Sequence, residues 1–197
     1  MEKKEKLNVR DLVTIGILSA VFAVVYVGIG MFTGSTPMGW LFTNAILAIP
    51  LGIVYMLLLA KVPKKGAALI LGIVFCLVMV LMGHWWPSVV AVGLFAVIAE
   101  VISTVIGKKR FTGMLLAFVI YMVGFPVAAF APLVWFKDAY ISAYPAETAA
   151  YYEHLAELLG GGMFWLVILA TAVGAVVGAF LGKIILKKHF VKAGIVK

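Results

Sequence analysis

Residues 40–87 read WLFTNAILAIPLGIVYMLLLAKVPKKGAALILGIVFCLVMVLMGHWWP. Two apolar runs, about 40–60 and 67–83, are joined by the basic turn KVPKKG and closed by the aromatic stop HWWP. Crossing the hydrocarbon core of a bilayer takes about 20 apolar residues, and both runs approach that length. Lys61, Lys64 and Lys65 all fall in the turn, whereas the stop carries tryptophans and no lysine. A hairpin with its positive charge at one end and its tryptophans at the other follows the charge and aromatic asymmetry of a membrane protein.

Outward from this hairpin, further apolar runs occupy about 12–32, 88–106, 111–133 and 162–186. The composition agrees: of 197 residues 65% are hydrophobic and 12% charged, too few charges for a soluble domain and too apolar for a disordered chain. The balance of 16 Lys+Arg against 8 Asp+Glu gives a formal charge of +8, but the charge is clustered between apolar runs. That pattern speaks for membrane topology rather than a nucleic-acid surface. The single cysteine, Cys76, lies inside an apolar run, so there is no disulfide framework. The predicted fold is an all-α membrane protein, one six-helix integral membrane domain over residues 1–197. Its first run follows MEKKEKLNVR, with Asp11 placed to cap the helix. The run is too long for a signal peptide and lacks a small-residue cleavage site, so a retained helix is expected.

With six spans the positive charges sort sharply. Lys3, Lys4, Lys6 and Arg10 precede the first span, and Lys61, Lys64 and Lys65 follow the second. Lys108, Lys109 and Arg110 follow the fourth, and Lys183, Lys187, Lys188, Lys192 and Lys197 end the chain. That is fifteen of the sixteen basic residues on one face, with Lys137 alone on the other. The positive-inside rule then puts both termini in the cytoplasm.

The outer face consists of two short turns and a long loop, residues 134–161, which holds Lys137, Asp138, Glu147, Glu153, His154 and Glu157. Residues 147–159 read as helical. The loop is either a solvated surface segment or a lid over an exofacial site. Unusual side chains collect at this end. Trp40 and Asn44 lie one turn apart on one helix face. His84, Trp85 and Trp86 follow the third span, Trp135 follows the fifth, and Tyr140 leads the tyrosines of the loop. Aromatic residues at this depth form either an interfacial belt or the wall of a ligand pocket. His84 and His154 both fall outside. His84 is either a hydrogen-bonded helix end or a ligand contact, including an axial ligand to haem iron beside Met82. The candidate substrate-binding residues are therefore Trp40, Asn44, His84, Trp85, Trp86, Trp135 and Tyr140. No resident cofactor or metal is expected, His84 serving iron only if the ligand is haem.

Small residues four apart mark helix contacts in lipid. The last span holds Ala170, Gly174, Gly178 and Gly182, and the first holds Gly16 with Ala20 and Ser19 with Ala23. Each stripe fits packing within this bundle or docking of another membrane subunit. The chain has no G-x-x-x-x-G-K-[ST] loop, no H-E-x-x-H, no G-x-S-x-G and no Cys/His cluster at metal spacing, so enzymatic activity is not expected. Glu100 falls well inside a span, where a carboxylate is costly. It is open to a structural tie, to Lys108 for example, to a coupling role, or to substrate contact. No internal repeat is visible, which weakens the case for a self-sufficient secondary transporter built on inverted repeats. A membrane assembly protein is the remaining alternative.

The segments KLNVRDLVTIGILSAVF, VYMLLLAKVPKKGA, and GHWWP followed by AVIAEVI together resemble the Trep-Strep family, also called MptD-like, over nearly the whole chain. Members are regarded as S components, the substrate-binding subunits of energy-coupling factor transporters. The resemblance implies a multi-pass protein of the bacterial cell membrane with six helices and cytoplasmic termini. It would capture a micronutrient at the outer face; the aromatic residues there favour a planar one, such as haem, a flavin-like or purine-like vitamin or an aromatic amino acid, and the two histidines put haem first. It implies as partners a transmembrane coupling subunit (EcfT-like) and two ATPase subunits (EcfA-like), which hydrolyse the ATP. It also implies a docking face of small residues on the first helix, here Gly16, Ser19, Ala20 and Ala23. The paired alanines of the family pattern are replaced by Gly16-x-x-x-Ala20 and Ser19-x-x-x-Ala23.

Overall fold

The computed structural model describes residues 6–190, with side chains through Lys188. Lys3, Lys4, Lys192 and Lys197, whose charges entered the sorting above, lie outside the described residues. Eight α-helices follow in order: α1 (Val9–Thr33), α2 (Pro37–Lys61), α3 (Ala67–Leu81), α4 (Trp86–Ile106), α5 (Phe111–Trp135), α6 (Lys137–Ile141), α7 (Ala146–Leu158) and α8 (Met163–Ile185). A π-helical turn, Leu186–Phe190, extends the last. There is no strand among the described residues.

By length and composition α1, α2, α4, α5 and α8 can cross a membrane. The third expected span is shorter than its apolar run. α3 has 15 residues, about 22 Å at 1.5 Å per residue, against a hydrocarbon core of about 30 Å. Glycines set both of its limits: Gly66 precedes it at φ +91° and Gly83 follows at φ +75°, left-handed conformations that end a helix.

Local chemistry fixes the other ends. α1 is capped by Asn8 rather than by Asp11. Asn8 Oδ1 accepts the Asp11 N–H and Asp11 Oδ2 accepts the Asn8 N–H, each at 2.8 Å, a reciprocal capping box with the acid at N3. α2 starts three residues before Trp40. Thr36 caps it by accepting the Gly39 N–H at 3.1 Å, and Pro37 takes the first turn, where its missing N–H costs nothing. Within α5, Pro132 removes the N–H that would serve the Ala128 carbonyl. The Ser88 hydroxyl supplies the missing donor from α4 at 2.7 Å, which locks α4 to α5.

The glycine stripe of α8 is an internal contact. A Cβ at Gly178 would meet the Ala48 carbonyl, one at Gly174 the Ala45 carbonyl, and one at Gly182 would lie 3.0 Å from the Gly52 carbonyl. Gly52 in turn faces the Gly178 backbone. α2 and α8 therefore touch backbone to backbone, the tight fit that drives helix association where lipid removes any hydrophobic advantage. Ala170 continues the stripe and is half-buried. Elsewhere the apolar faces point outward, as on Ile17 and Val24 of α1 or Leu169 and Val173 of α8, the arrangement expected of surfaces covered by lipid.

The short turns reverse the chain between consecutive long helices and gather the described basic residues other than Lys137 at one end. Lys64 Nζ lies 2.7 Å from Asp11 Oδ2, tying the turn between α2 and α3 to the start of α1. Lys108 Nζ lies 2.6 Å from Glu100 Oε1, which also accepts the Gly66 N–H at 2.7 Å and the Thr104 hydroxyl at 3.3 Å. Lys183 of α8 sits 4.3 Å above the Phe111 ring at the start of α5. This is the basic end of the bundle; aromatic residues crowd the other.

Candidate functional site

The segment expected as a long loop folds into α6 and α7, and α7 matches the predicted helical stretch. Both lie on the aromatic end because their apolar side chains have somewhere to go. Tyr140, Leu155 and Leu159 are buried in a cluster with Leu41, Phe130, Leu133, Phe164 and Val167. Two tyrosine hydroxyls fasten the cap. Tyr151 donates to the Gly34 carbonyl between α1 and α2 at 3.1 Å, and Tyr144 accepts the Trp85 N–H at 3.2 Å. The acids of the cap face away: Asp138, Glu147, Glu153 and Glu157 are all exposed.

Beneath this cap lies a cavity of about 170 Å³. α1 contributes Tyr26, α2 Trp40 and Asn44, the end of α3 and its turn Met79, Met82 and His84, and α5 Phe125 and Ala128. Tyr140, Tyr144 and Tyr152 of the cap close it. Among its described lining residues there is no Asp, Glu, Lys or Arg. A second cavity of about 280 Å³ adjoins it, shares Tyr26, Trp40, Met82 and His84, and runs along Val27, Gly30 and Met31 of α1.

The polar groups of the cavity have hydrogen-bonding capacity to spare. Asn44 is 5% exposed; its Oδ1 accepts a long bond of 3.4 Å from the Tyr26 hydroxyl, and its Nδ2 has no partner among the described residues. His84 Nδ1 lies 3.2 Å from the Met79 carbonyl, which can only accept, so Nδ1 carries the proton and Nε2 is a bare acceptor. Burial lowers the His84 pKa below its ordinary 6.5, against the opposing pull of the Met79 carbonyl, so the ring is neutral at pH 7. Tyr140 accepts from the Tyr144 hydroxyl at 3.3 Å and keeps its own proton to donate. Burial first, then Tyr144, pushes the Tyr140 phenol far above its usual range and secures that proton. The Trp85 N–H, the Tyr144 hydroxyl and the Tyr140 hydroxyl thus form a donor chain that ends in the cavity.

Four of the seven residues expected at a binding site, Trp40, Asn44, His84 and Tyr140, line the cavity. Trp85 stands behind them, its ring edge-on to Tyr140 at 5.1 Å. Trp86 and Trp135 are not brought there: they are 72% and 58% exposed, on the first residue of α4 and the last of α5, at the depth of an aromatic belt. His154 also points away, with 58% of its side chain exposed and Nδ1 3.7 Å from Glu157 Oε2. Of the two histidines at the aromatic end, His84 lines the cavity and His154 does not.

Tyr26 and Phe125 are wall residues that the sequence did not single out. Tyr26 carried a signal, a lone hydroxyl in the apolar second half of the first run; Phe125, one phenylalanine among many, carried none. The first-helix stripe divides. Gly16 and Ala20 lie on the open outer face of α1, where a Cβ on Gly16 would meet nothing, while Ser19 and Ala23 are buried in the bundle. Glu100 lies at the basic end and does not touch the cavity.

A family model described as "Hypothetical bacterial integral membrane protein (Trep_Strep)" matches residues 9–192. No curated protein and no solved structure matches the chain. The match spans every long apolar helix and the aromatic cap, and the chain belongs to the Trep_Strep family of bacterial integral membrane proteins.

Proposed function

We propose that the chain is the substrate-capturing S component of an energy-coupling factor importer. In this reading the five long apolar helices and the shorter α3 form six spans in the bacterial cell membrane, with both termini in the cytoplasm. The observation that carries it is a capped, neutral, aromatic cavity at the end of the bundle opposite the basic turns. The positive-inside rule sends the lysine clusters inward and so opens the cavity to the outside. A site there, with no charged pore beneath it, suits a subunit that captures a solute and relies on partners for energy. Those partners are a transmembrane coupling subunit and two ATPase subunits.

The docking face is the open side of α1 around Gly16 and Ala20, where small residues let a partner helix approach closely. Glu100 serves as a structural tie. Its contacts with Lys108, Gly66 and Thr104 support that role over ion coupling in a self-sufficient transporter.

The experiment is purification from native membranes with mass-spectrometric identification of bound subunits and an ATPase assay of the complex. Wild type is expected to bring down two subunits with phosphate-binding loops and a coupling subunit. Gly16→Leu and Ala20→Leu are expected to lose all three while remaining folded. Solute accumulation by the chain reconstituted alone would overturn the proposal, as would partners that include no ATPase.

A further inference from the structure

The cavity also limits what the captured solute can be, and this inference rests on the function proposed above. We infer that it is a neutral, planar nitrogen heterocycle of one or two fused rings, recognised along an imide-type edge in which a ring N–H lies between two carbonyls.

Three observations converge. The first is size. An apolar cavity of about 150 Å³ accommodates a benzene ring, so about 170 Å³ suits one or two small fused rings and is far too little for a tetrapyrrole. The limit applies to the ring system, because a substituent has the adjoining chamber of about 280 Å³ along α1. The second is charge. With no ionic side chain on the wall, a phosphate, a carboxylate or a zwitterionic amino acid would be buried without a counter-charge, at a cost that neutral rings avoid.

The third is the pattern of spare hydrogen-bonding groups. Asn44 Nδ2 offers donors, Tyr140 offers one donor, and His84 Nε2 offers an acceptor. A ligand that engages each of the three groups once brings two acceptors and one N–H donor, which is the inventory of a cyclic imide. Trp40 and Phe125 give the ring flat apolar walls. Haem fails on size, because a tetrapyrrole is too large for the cavity. A purely hydrocarbon ring fails on the third count, because it would cover three polar groups of the wall and pair none of them.

Tryptophan fluorescence of the full chain in nanodiscs at pH 7 provides the test. The probes are lumazine, 1,3-dimethyllumazine, haemin and L-tryptophan. Lumazine is expected to quench saturably at one site per chain, and Trp40→Phe is expected to abolish most of that quenching. 1,3-Dimethyllumazine, whose imide nitrogen carries a methyl in place of hydrogen, is expected to bind about 10- to 100-fold more weakly. Isothermal calorimetry against Asn44→Leu is expected to show a loss of similar size, and His84→Phe serves as the second variant should Asn44→Leu fail to fold. Equal affinity for the two lumazines, no saturable binding of lumazine, or tighter binding of haemin or L-tryptophan would overturn the inference.

Failure here and failure of the S-component reading are distinguishable. If the chain still co-purifies with its ATPases but ignores lumazine, the solute class falls and the S component stands. If lumazine binds but no ATPase associates, the reverse holds.

Discussion

The two ends of the bundle contrast in how they treat polar groups. At the basic end they are paired with one another. Asp11 holds Lys64, and Glu100 holds Lys108, the Gly66 N–H and Thr104. Lys108 has a second acceptor in Ser103 at 3.1 Å; Glu100 Oε2 and, deeper in the bundle, the Ser19, Tyr55 and Tyr121 hydroxyls are buried without a partner. At the aromatic end the wall is uncharged among its described lining residues, and Asn44, His84 and Tyr140 line the cavity with Nδ2, Nε2 and a phenol proton unspent. Charged groups paired with one another mark a structural joint, and polar groups with spare capacity on the wall of a cavity mark a place for a ligand. The contrast predicts that lesions at the basic end cost stability, and lesions at the aromatic end cost binding.

The largest expected effect comes from the joint on which both ends hang. Gly178→Leu would drive a side chain into the Ala48 and Ile49 carbonyls, and backbone cannot move aside as a side chain can. The cost is at least about 3 kcal/mol, the top of the usual overpacking range, and no monodisperse protein is expected by size-exclusion chromatography. Normal recovery would remove the backbone contact between α2 and α8 from the description.

Next comes Glu100→Gln, which leaves Lys108 buried without its counter-ion. A loss of about 3–5 kcal/mol in unfolding free energy is expected, with most of it restored in the double variant Glu100→Gln/Lys108→Met. Binding by the folded fraction is expected to stay unchanged. A selective loss of binding would erase the distinction between the two ends.

A smaller effect is expected from pH. Burial holds the His84 pKa below 6.5, so Nε2 remains an acceptor from neutral pH down through 6.5 and becomes a donor only at lower pH. Affinity for lumazine is therefore expected to be level between pH 7 and about 6.5 and to fall below that. Stability follows the same sign: below 6.5 the unfolded chain takes up the proton first, so acid weakens folding. His84→Phe is expected to flatten this part of both profiles. An affinity that rises on acidification would contradict the assigned tautomer.

The smallest effect is at the cap. Tyr151→Phe removes one hydrogen bond from α7 to Gly34, worth about 1 kcal/mol, and a several-fold faster release of bound lumazine is expected in stopped-flow fluorescence. An unchanged release rate would mean that α6 and α7 do not hold the ligand in.

What the sequence made legible follows the same division. Long apolar runs, basic turns and the α8 stripe are periodic or compositional, and they locate the helices to within a few residues. The exact ends escaped because single hydrogen bonds decide them: Asn8 rather than Asp11 caps α1, and Pro37 with Thr36 starts α2 before Trp40. For the site, Trp40, Asn44, His84 and Tyr140 were readable as polar or aromatic residues at the expected depth. Trp86 and Trp135 have the same composition signal but opposite orientation, and depth alone says nothing of which way a ring points. Phe125 and Tyr26 meet at the cavity with their rings 5.2 Å apart, a contact between residues far apart in sequence.

The most direct test of the central claim is native mass spectrometry of the chain released straight from its membrane, with Asn44→Leu and Glu100→Gln/Lys108→Met alongside. A single small neutral adduct at unit stoichiometry is expected on wild type and on the basic-end variant, and is expected to be missing from Asn44→Leu. An adduct that survives Asn44→Leu, one lost only from the basic-end variant, or a wild-type chain that never carries one would contradict the assignment of the aromatic end as the binding site.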